Sequence, residues 1–238
     1  MHALILAGGF GTRLRSAVPD VPKPLAPIKG RTFLDWLIEA LVWYGATGVT
    51  LSVHYEWEKI RDHFEENRPP VPLNLAIEKT PLGTGGGMKF ALKECPQDSP
   101  VMVLNGDSFA RIDYRALYRD HAKSGLPLTM VLRQMEDTGR YGRVEEEDGV
   151  ITSFEDGKPG RAGLINAGIY VLDPKLFSDT KLPAAFSFEK DFLPKRLEKI
   201  QPAAFITDDY FIDIGIPEDY ERVRKNGFWR PWRAGDFA

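Results

Sequence analysis

The chain has 238 residues, 43% hydrophobic and 27% charged, an ordinary globular balance that excludes a disordered or low-complexity protein. Its 31 basic and 34 acidic residues give a net charge of −3, which argues against nucleic acid or an anionic membrane as the main partner. The single cysteine, Cys95, excludes an internal disulfide and a cysteine-based metal site, and it reads as an inert helix-end residue.

Residues 3–6 (Ala-Leu-Ile-Leu) read as a buried strand that runs straight into a glycine-rich stretch, so no leader is expected and the cytoplasm is the expected compartment. No apolar run is long enough for a membrane span. A helix is predicted over 32–44, with Phe33, Leu34, Leu37, Ile38 and Leu41 as its apolar stripe. A strand at 49–53, a helix at 56–66 and a strand at 73–77 follow. Then come a glycine turn at 83–87, a helix from about 88 to 93 and a strand at 101–104. Strands alternating with helices imply βαβ units and a mostly parallel sheet covered on both faces, with ligands at the carboxyl ends of the strands. From Leu126 the pattern changes to strands at 128–133, 143–147, 150–154 and 164–172, with Asp148-Gly149 as a hairpin signal. Helices at 188–200 and 217–225 close the domain. The fold class is therefore α/β: one Rossmann-like domain with a mixed, mostly parallel sheet flanked by helices. The change of pattern divides the domain into two halves, 1–125 and 126–225. The tail 226–238, with two Trp and two Arg, is expected to pack on the domain or on a second copy, which leaves a homo-oligomer open.

The segment Leu6-Ala7-Gly8-Gly9-Phe10-Gly11-Thr12-Arg13-Leu14 carries the most chemistry. Glycines bring backbone N–H groups close to a ligand, which suits phosphate oxygens. A Walker loop lacks its Gly-Lys-Ser/Thr here, and the dinucleotide fingerprint would need glycine where Leu14 stands. Taken alone the loop is equally a tight glycine turn. Arg13 follows it directly, and Pro22-Lys23-Pro24 sets Lys23 on a stiffened backbone. Two cations beside such a loop suit phosphoryl transfer, where charge must be neutralised rather than covalently attacked. Asp107 and Asp213 both end apolar runs; singly each reads as a turn or cap, and together they could hold Mg²⁺. Glu78, after the strand at 73–77, reads singly as a strand-end carboxylate in solvent. The four histidines lack metal spacing and are expected at strand edges and helix surfaces.

The run from Gly8 to Leu14, followed by Pro22-Lys23-Pro24-Leu25, strongly resembles the signature of the sugar-1-phosphate nucleotidyltransferases. Pro81-Leu82-Gly83-Thr84-Gly85-Gly86, Asn105-Gly106-Asp107, Tyr141-Gly142, Asn166-Ala167-Gly168 and Asp213-Ile214-Gly215 continue it in order across nearly the whole chain. The resemblance implies Mg²⁺ held by Asp107 and Asp213, and direct attack by the sugar phosphate on a nucleoside triphosphate. It implies catalytic roles for Arg13, at the pyrophosphate leaving group, and Lys23, at the α-phosphate, with Asp107. Leu6, Ala7, Gly8, Gly9, Gly11 and Thr12 would cradle the nucleotide together with Asn105 and Gly106, while Gly83 and Thr84 would read the base edge and Glu78 would accept from guanine N1–H and N2–H₂. Residues 1–125 would then be mainly the nucleotide-binding half and 126–225 mainly the sugar-phosphate-binding half. Tyr141, Gly142, Glu155, Lys158, Asn166, Gly168 and Glu189 are the sugar-phosphate candidates. The chain departs from the pattern at Glu155-Asp156-Gly157-Lys158, where relatives place Glu directly before Lys. Within the family, Arg-Tyr-Gly at 140–142, Phe-Ser-Phe-Glu at 186–189 and the run 210–220 look most like the D-glycero-D-manno-heptose 1-phosphate guanylyltransferases, which implies GTP. Mannose-1-phosphate guanylyltransferases and N-acetylmuramate-1-phosphate uridylyltransferases share the frame. A non-catalytic sugar-nucleotide-binding regulator is a rival of another class, and loss of Arg13 or an aspartate would have pointed to it.

Overall fold

The computed structural model describes residues 1–155 and 157–226. The sequence signals at 227–238, including Trp229 and Trp232, lie outside the described residues. Strand β1 (His2–Leu6) is at the centre of the parallel half of the sheet, between β4 (Gly48–Val53) and β6 (Val101–Asn105). A two-strand ribbon, β2 (Pro27–Ile28) and β3 (Arg31–Thr32), leads into helix α1 (Phe33–Trp43). Thr32 starts that helix with a capping box: Asp35 N donates to Thr32 Oγ1 at 3.1 Å, and Thr32 N donates to Asp35 at 2.9 Å. Helix α2 (Trp57–Glu66) crosses to the edge strand β5 (Leu73–Ile77), which pairs parallel with β4.

Helix α3 spans Gly83–Ala91, so the expected turn at 83–87 is the first part of a helix. Glycine disfavours helix by about 1 kcal/mol per residue, and that local cost misled the sequence reading. The reason these residues are glycine is tertiary. A Cβ on Gly85 would stand 2.2 Å from the Phe186 ring, and one on Gly86 would stand 2.4 Å from the Ala184 carbonyl oxygen. Gly85 N and Gly86 N both donate to the Phe186 carbonyl, at 3.0 and 3.2 Å.

A short strand β7 (Ser108–Ala110) and helix α4 (Tyr114–Ser124) come next. Helix α4 was not anticipated, although Asp113 caps its first turn through Arg115 N and Ala116 N and Gly125 ends it at φ 64°. Strands β8 (Leu128–Met135), β9 (Arg143–Glu147), β10 (Val150–Glu155) and β11 (Gly163–Leu172) build the second half. The Asp148-Gly149 hairpin is present, with both residues at positive φ. The expected helix at 188–200 is broken into a π-turn at Phe188–Phe192 and helix α5 (Leu197–Ile200). Pro194 lies between them and has no N–H to carry a helix through. Strands β12 (Ala203–Thr207) and β13 (Phe211–Asp213) and helix α6 (Pro217–Asn226) complete the described chain.

The nine-stranded sheet runs β5-β4-β1-β6-β11-β8-β12-β10-β9. It is mixed, as expected, but parallel throughout only from β5 to β6. Strand β11 is antiparallel to both β6 and β8, and β12 on β8 is the parallel pair of the second half. In that half β9 and β10 are joined by a tight hairpin, which makes that pair antiparallel. Two apolar clusters cover the faces. One centres on α1 with Ile5 and Leu104, the other on Met88, Tyr170, Phe188 and Phe192. His121 belongs to the interior rather than to a helix surface: it is buried and its ring Nδ1 pairs with Thr129 Oγ1 at 2.9 Å. Cys95 is buried at a helix end, and burial pushes its thiol up to about 11, so it is inert.

Candidate active site

A cleft of about 390 Å³ opens at the carboxyl ends of β1, β5 and β6. Every nucleotide-side candidate lines it: the stretch from Leu6 to Arg13, Lys23, Glu78, Gly83, Thr84, Asn105, Gly106 and Asp107. Pro24, Pro81, Leu82, Gly87 and Gly215 also line it and were not singled out as site residues. Two glycines in the wall make room that no other residue leaves. Gly11 has φ 59° and its missing Cβ would be 2.9 Å from Lys23 Cβ, while a Cβ on Gly106 would be 2.8 Å from the Leu6 carbonyl.

Strands β7 and β13 form a small antiparallel sheet of their own, with Asp213 opposite Ser108. Ile214 N also donates to the Asp107 carbonyl at 2.9 Å. This pairing, invisible in the sequence, brings together two aspartates that are distant along the chain. Lys23 stands between them: its Nζ is 2.5 Å from Asp107 Oδ2 and 3.6 Å from Asp213 Oδ1. Its side chain is 11% exposed. Burial and the facing Asp107 carboxylate push the Asp213 carboxyl above its ordinary range, and Lys23 offsets part of that. The two carboxylates, without nitrogen or sulfur donors, suit a hard divalent cation whose other ligands are phosphate and water. Among the described residues no group of three or more His, Cys, Asp or Glu could hold a metal unaided. Arg13 is exposed on the cleft and makes no ion pair among the described residues.

Glu78 is 8% exposed, so it is not a solvent carboxylate. Oε1 accepts from Ser52 Oγ at 2.7 Å and Oε2 from Leu82 N at 3.0 Å. Gly87 admits this carboxylate, since a Cβ there would lie 2.6 Å from Oε1. Each oxygen keeps one further acceptor site, fewer than a free carboxylate offers. Thr84 is more committed. Its hydroxyl donates to Glu189 Oε2 at 2.6 Å and accepts from Phe188 N at 2.9 Å, so its one proton is not free to donate to a base.

The sugar-side candidates divide into two groups. Asn166, Gly168 and Glu189 lie behind the cleft wall in one network. Asn166 Nδ2 donates to Tyr170 Oη at 2.7 Å, and Tyr170 donates to Glu189 Oε1 at 3.1 Å. The register of β11 on β8 slips between Asn166 and Tyr170, and Gly168 there has φ 70° and packs against Asn105. Tyr141, Gly142, Glu155 and Lys158 sit on loops and strand ends beyond it. Glu155 is exposed and lies near Arg143 and Arg161, at 3.5 and 3.6 Å, and Lys158 is exposed without an ion pair among the described residues. Tyr141 is half-buried and its phenol is pushed up to about 12 by burial and by Asp213.

The glycine loop, Arg13, Lys23 and Asp107 line one cleft, and Asp213 meets Lys23 at its edge. The nucleotidyl transferase family model matches residues 2–227. The chain belongs to that family. As a nucleotidyl transferase it is 43% identical to the D-glycero-alpha-D-manno-heptose 1-phosphate guanylyltransferase of Campylobacter jejuni over 92% of this chain and 97% of that protein. The enzyme of the same name from Aneurinibacillus thermoaerophilus is 38% identical over 94% and 97%. The crystal structure of HddC from Yersinia pseudotuberculosis superposes with a TM-score of 0.83 at 38% identity, covering 94% of this chain and 98% of that one; HddC has also been solved with GMP-PN. Among the described residues no helix is long and apolar enough to cross a membrane.

Proposed function

We propose that this nucleotidyltransferase transfers GMP from GTP to D-glycero-D-manno-heptose 1-phosphate, releasing pyrophosphate. The observation that carries the chemistry is the meeting of Lys23, Asp107 and Asp213 beside the glycine loop. The relatives named above support the choice of base and sugar.

In this reading a phosphate oxygen of the sugar 1-phosphate bonds to the α-phosphorus as the bond from that phosphorus to the β-phosphate bridge breaks, and pyrophosphate leaves. The nucleophile is already anionic, so no residue need act as a base. Backbone N–H groups of the loop hold the phosphates, Lys23 neutralises the α-phosphate and Arg13 the departing pyrophosphate. Asp107 and Asp213 would hold Mg²⁺, which when bound supplies further charge neutralisation. Glu78 faces the guanine donors, with Gly83 contributing backbone. Use of a nucleoside triphosphate donor supports a cytoplasmic enzyme.

The test is an assay of pyrophosphate release with each of the four triphosphates against a panel of sugar 1-phosphates. GTP with the heptose 1-phosphate should give the highest kcat/KM. A preference for mannose 1-phosphate would change the sugar, and a preference for UTP would overturn the guanylyl reading.

A further inference from the structure

A sugar 1-phosphate brings close to two negative charges to a site that already holds two carboxylates. In the reading above Lys23 and Arg13 are taken by the nucleotide phosphates, and Lys158 is an exposed residue of the 157–161 loop whose backbone carbonyl accepts from Arg161 N at 3.2 Å. A different cation lies outside the lining of the glycine-loop cleft, joined to β13 through ring contacts. The Arg140 guanidinium carbon is 5.4 Å from the centroid of the Tyr141 ring, and that ring meets Phe211 edge-on at 5.9 Å. Phe211 begins β13, which ends at Asp213. Arg140 and Asp213 are within each other's electrostatic reach.

Arg140 is also held in place. Its Nη1 donates to Asp219 Oδ2 at 2.6 Å, and Arg222 Nη2 lies 3.0 Å from Asp219 Oδ1. Asp219 is buried in the first turn of α6, so one buried carboxylate anchors two guanidiniums and the cluster keeps a net positive charge. The Arg140 side chain is 44% exposed and has N–H donors beyond the one given to Asp219. A guanidinium fixed by one edge and open on another is suited to bidentate contact with a phosphate.

We propose that Arg140, positioned by Asp219 and Tyr141, binds the phosphate of the sugar 1-phosphate. The proposal rests on the guanylyltransferase reading and names the residue that meets its second substrate. A purely structural Arg140 would instead clamp the 138–142 loop to α6 and leave substrate affinity alone.

The experiment is calorimetric titration of D-glycero-α-D-manno-heptose 1-phosphate into the enzyme with Mg²⁺ and a non-hydrolysable GTP analogue. Arg140→Met should weaken sugar-phosphate binding about ten-fold or more, with affinity for the GTP analogue within about two-fold. Arg140→Lys, which keeps the charge but not the fork, should recover part of the loss; it also serves if the Met variant fails to fold. Unchanged sugar-phosphate affinity in a folded Arg140→Met or Arg140→Lys variant would overturn the proposal. So would an equal loss for the nucleotide, because that marks a general field or folding effect. Wild-type enzyme that binds the sugar phosphate through Arg140 yet gives no turnover with GTP would strike the guanylyltransferase reading and leave this one standing.

Discussion

Thr84 Oγ1 donates to Glu189 Oε2 at 2.6 Å, joining two residues 105 positions apart in the chain. This bond fastens the first turn of α3, in the cleft wall, to the segment that follows Phe186. Glu189 accepts from Tyr170 as well, so α3 and the strand carrying Asn166 share one carboxylate. Thr84→Val keeps the shape but leaves the Phe188 N–H without its partner and removes a donor from Glu189. Losing such partly buried bonds costs about 1–3 kcal/mol. We expect a lower Tm in thermal unfolding and a raised KM for GTP, both restored by Thr84→Ser. An unchanged Tm for the Val variant would show that the bond holds nothing.

Asp213 faces Asp107 in a mostly buried site, so its charge is maintained against the stability of the fold. Its carboxyl is held above the ordinary range by burial and by Asp107, which means that the folded state binds the proton more tightly than the unfolded chain. Ionised Asp213 therefore destabilises the protein at neutral pH, and this loss disappears as pH falls below the unfolded carboxylate pKa of about 4. Asp213→Asn should raise Tm at pH 7 in EDTA while abolishing Mg²⁺-dependent transfer. A lower Tm would show that the ion pair with Lys23 outweighs burial and repulsion.

Arg13 is exposed on the cleft and takes no part in the core. Arg13→Ala should therefore fold normally and lose about 10²-fold or more in turnover, the usual effect of removing a group that neutralises transition-state charge. Near-wild-type turnover would remove Arg13 from the reaction.

Glu78 presents a sharper case, because the carboxylate builds the site as well as facing it. Glu78→Gln replaces one acceptor oxygen with an amide donor, which opposes either Ser52 and Leu82 or guanine. The GTP-over-ATP ratio in kcat/KM should fall by about one to two powers of ten, alongside some loss of stability. A fall in Tm with an unchanged ratio would restrict Glu78 to holding the 78–87 loop, and base choice would pass to the backbone near Gly83.

Elements governed by neighbours in sequence were legible from the residues alone. The apolar stripe of α1, strand β5 and the Asp148-Gly149 turn needed only local periodicity and backbone preference. The glycine loop, Lys23, Asp107 and Asp213 were legible as candidates because residue type and order carry the chemistry. Tertiary structure decided the rest. The glycines of α3 looked like a turn until Phe186 and Ala184 were seen to occupy the space of their missing side chains. The pairing of β7 with β13, which brings Asp107 and Asp213 to one lysine, joins short strands with too few residues to announce a partner. The commitments of Thr84 and Glu78, and the anchoring of Arg140 on Asp219, are contacts across distant segments. A sequence states which groups are available, but which hydrogen-bond capacity is already used depends on distances that exist only once the chain has closed on itself.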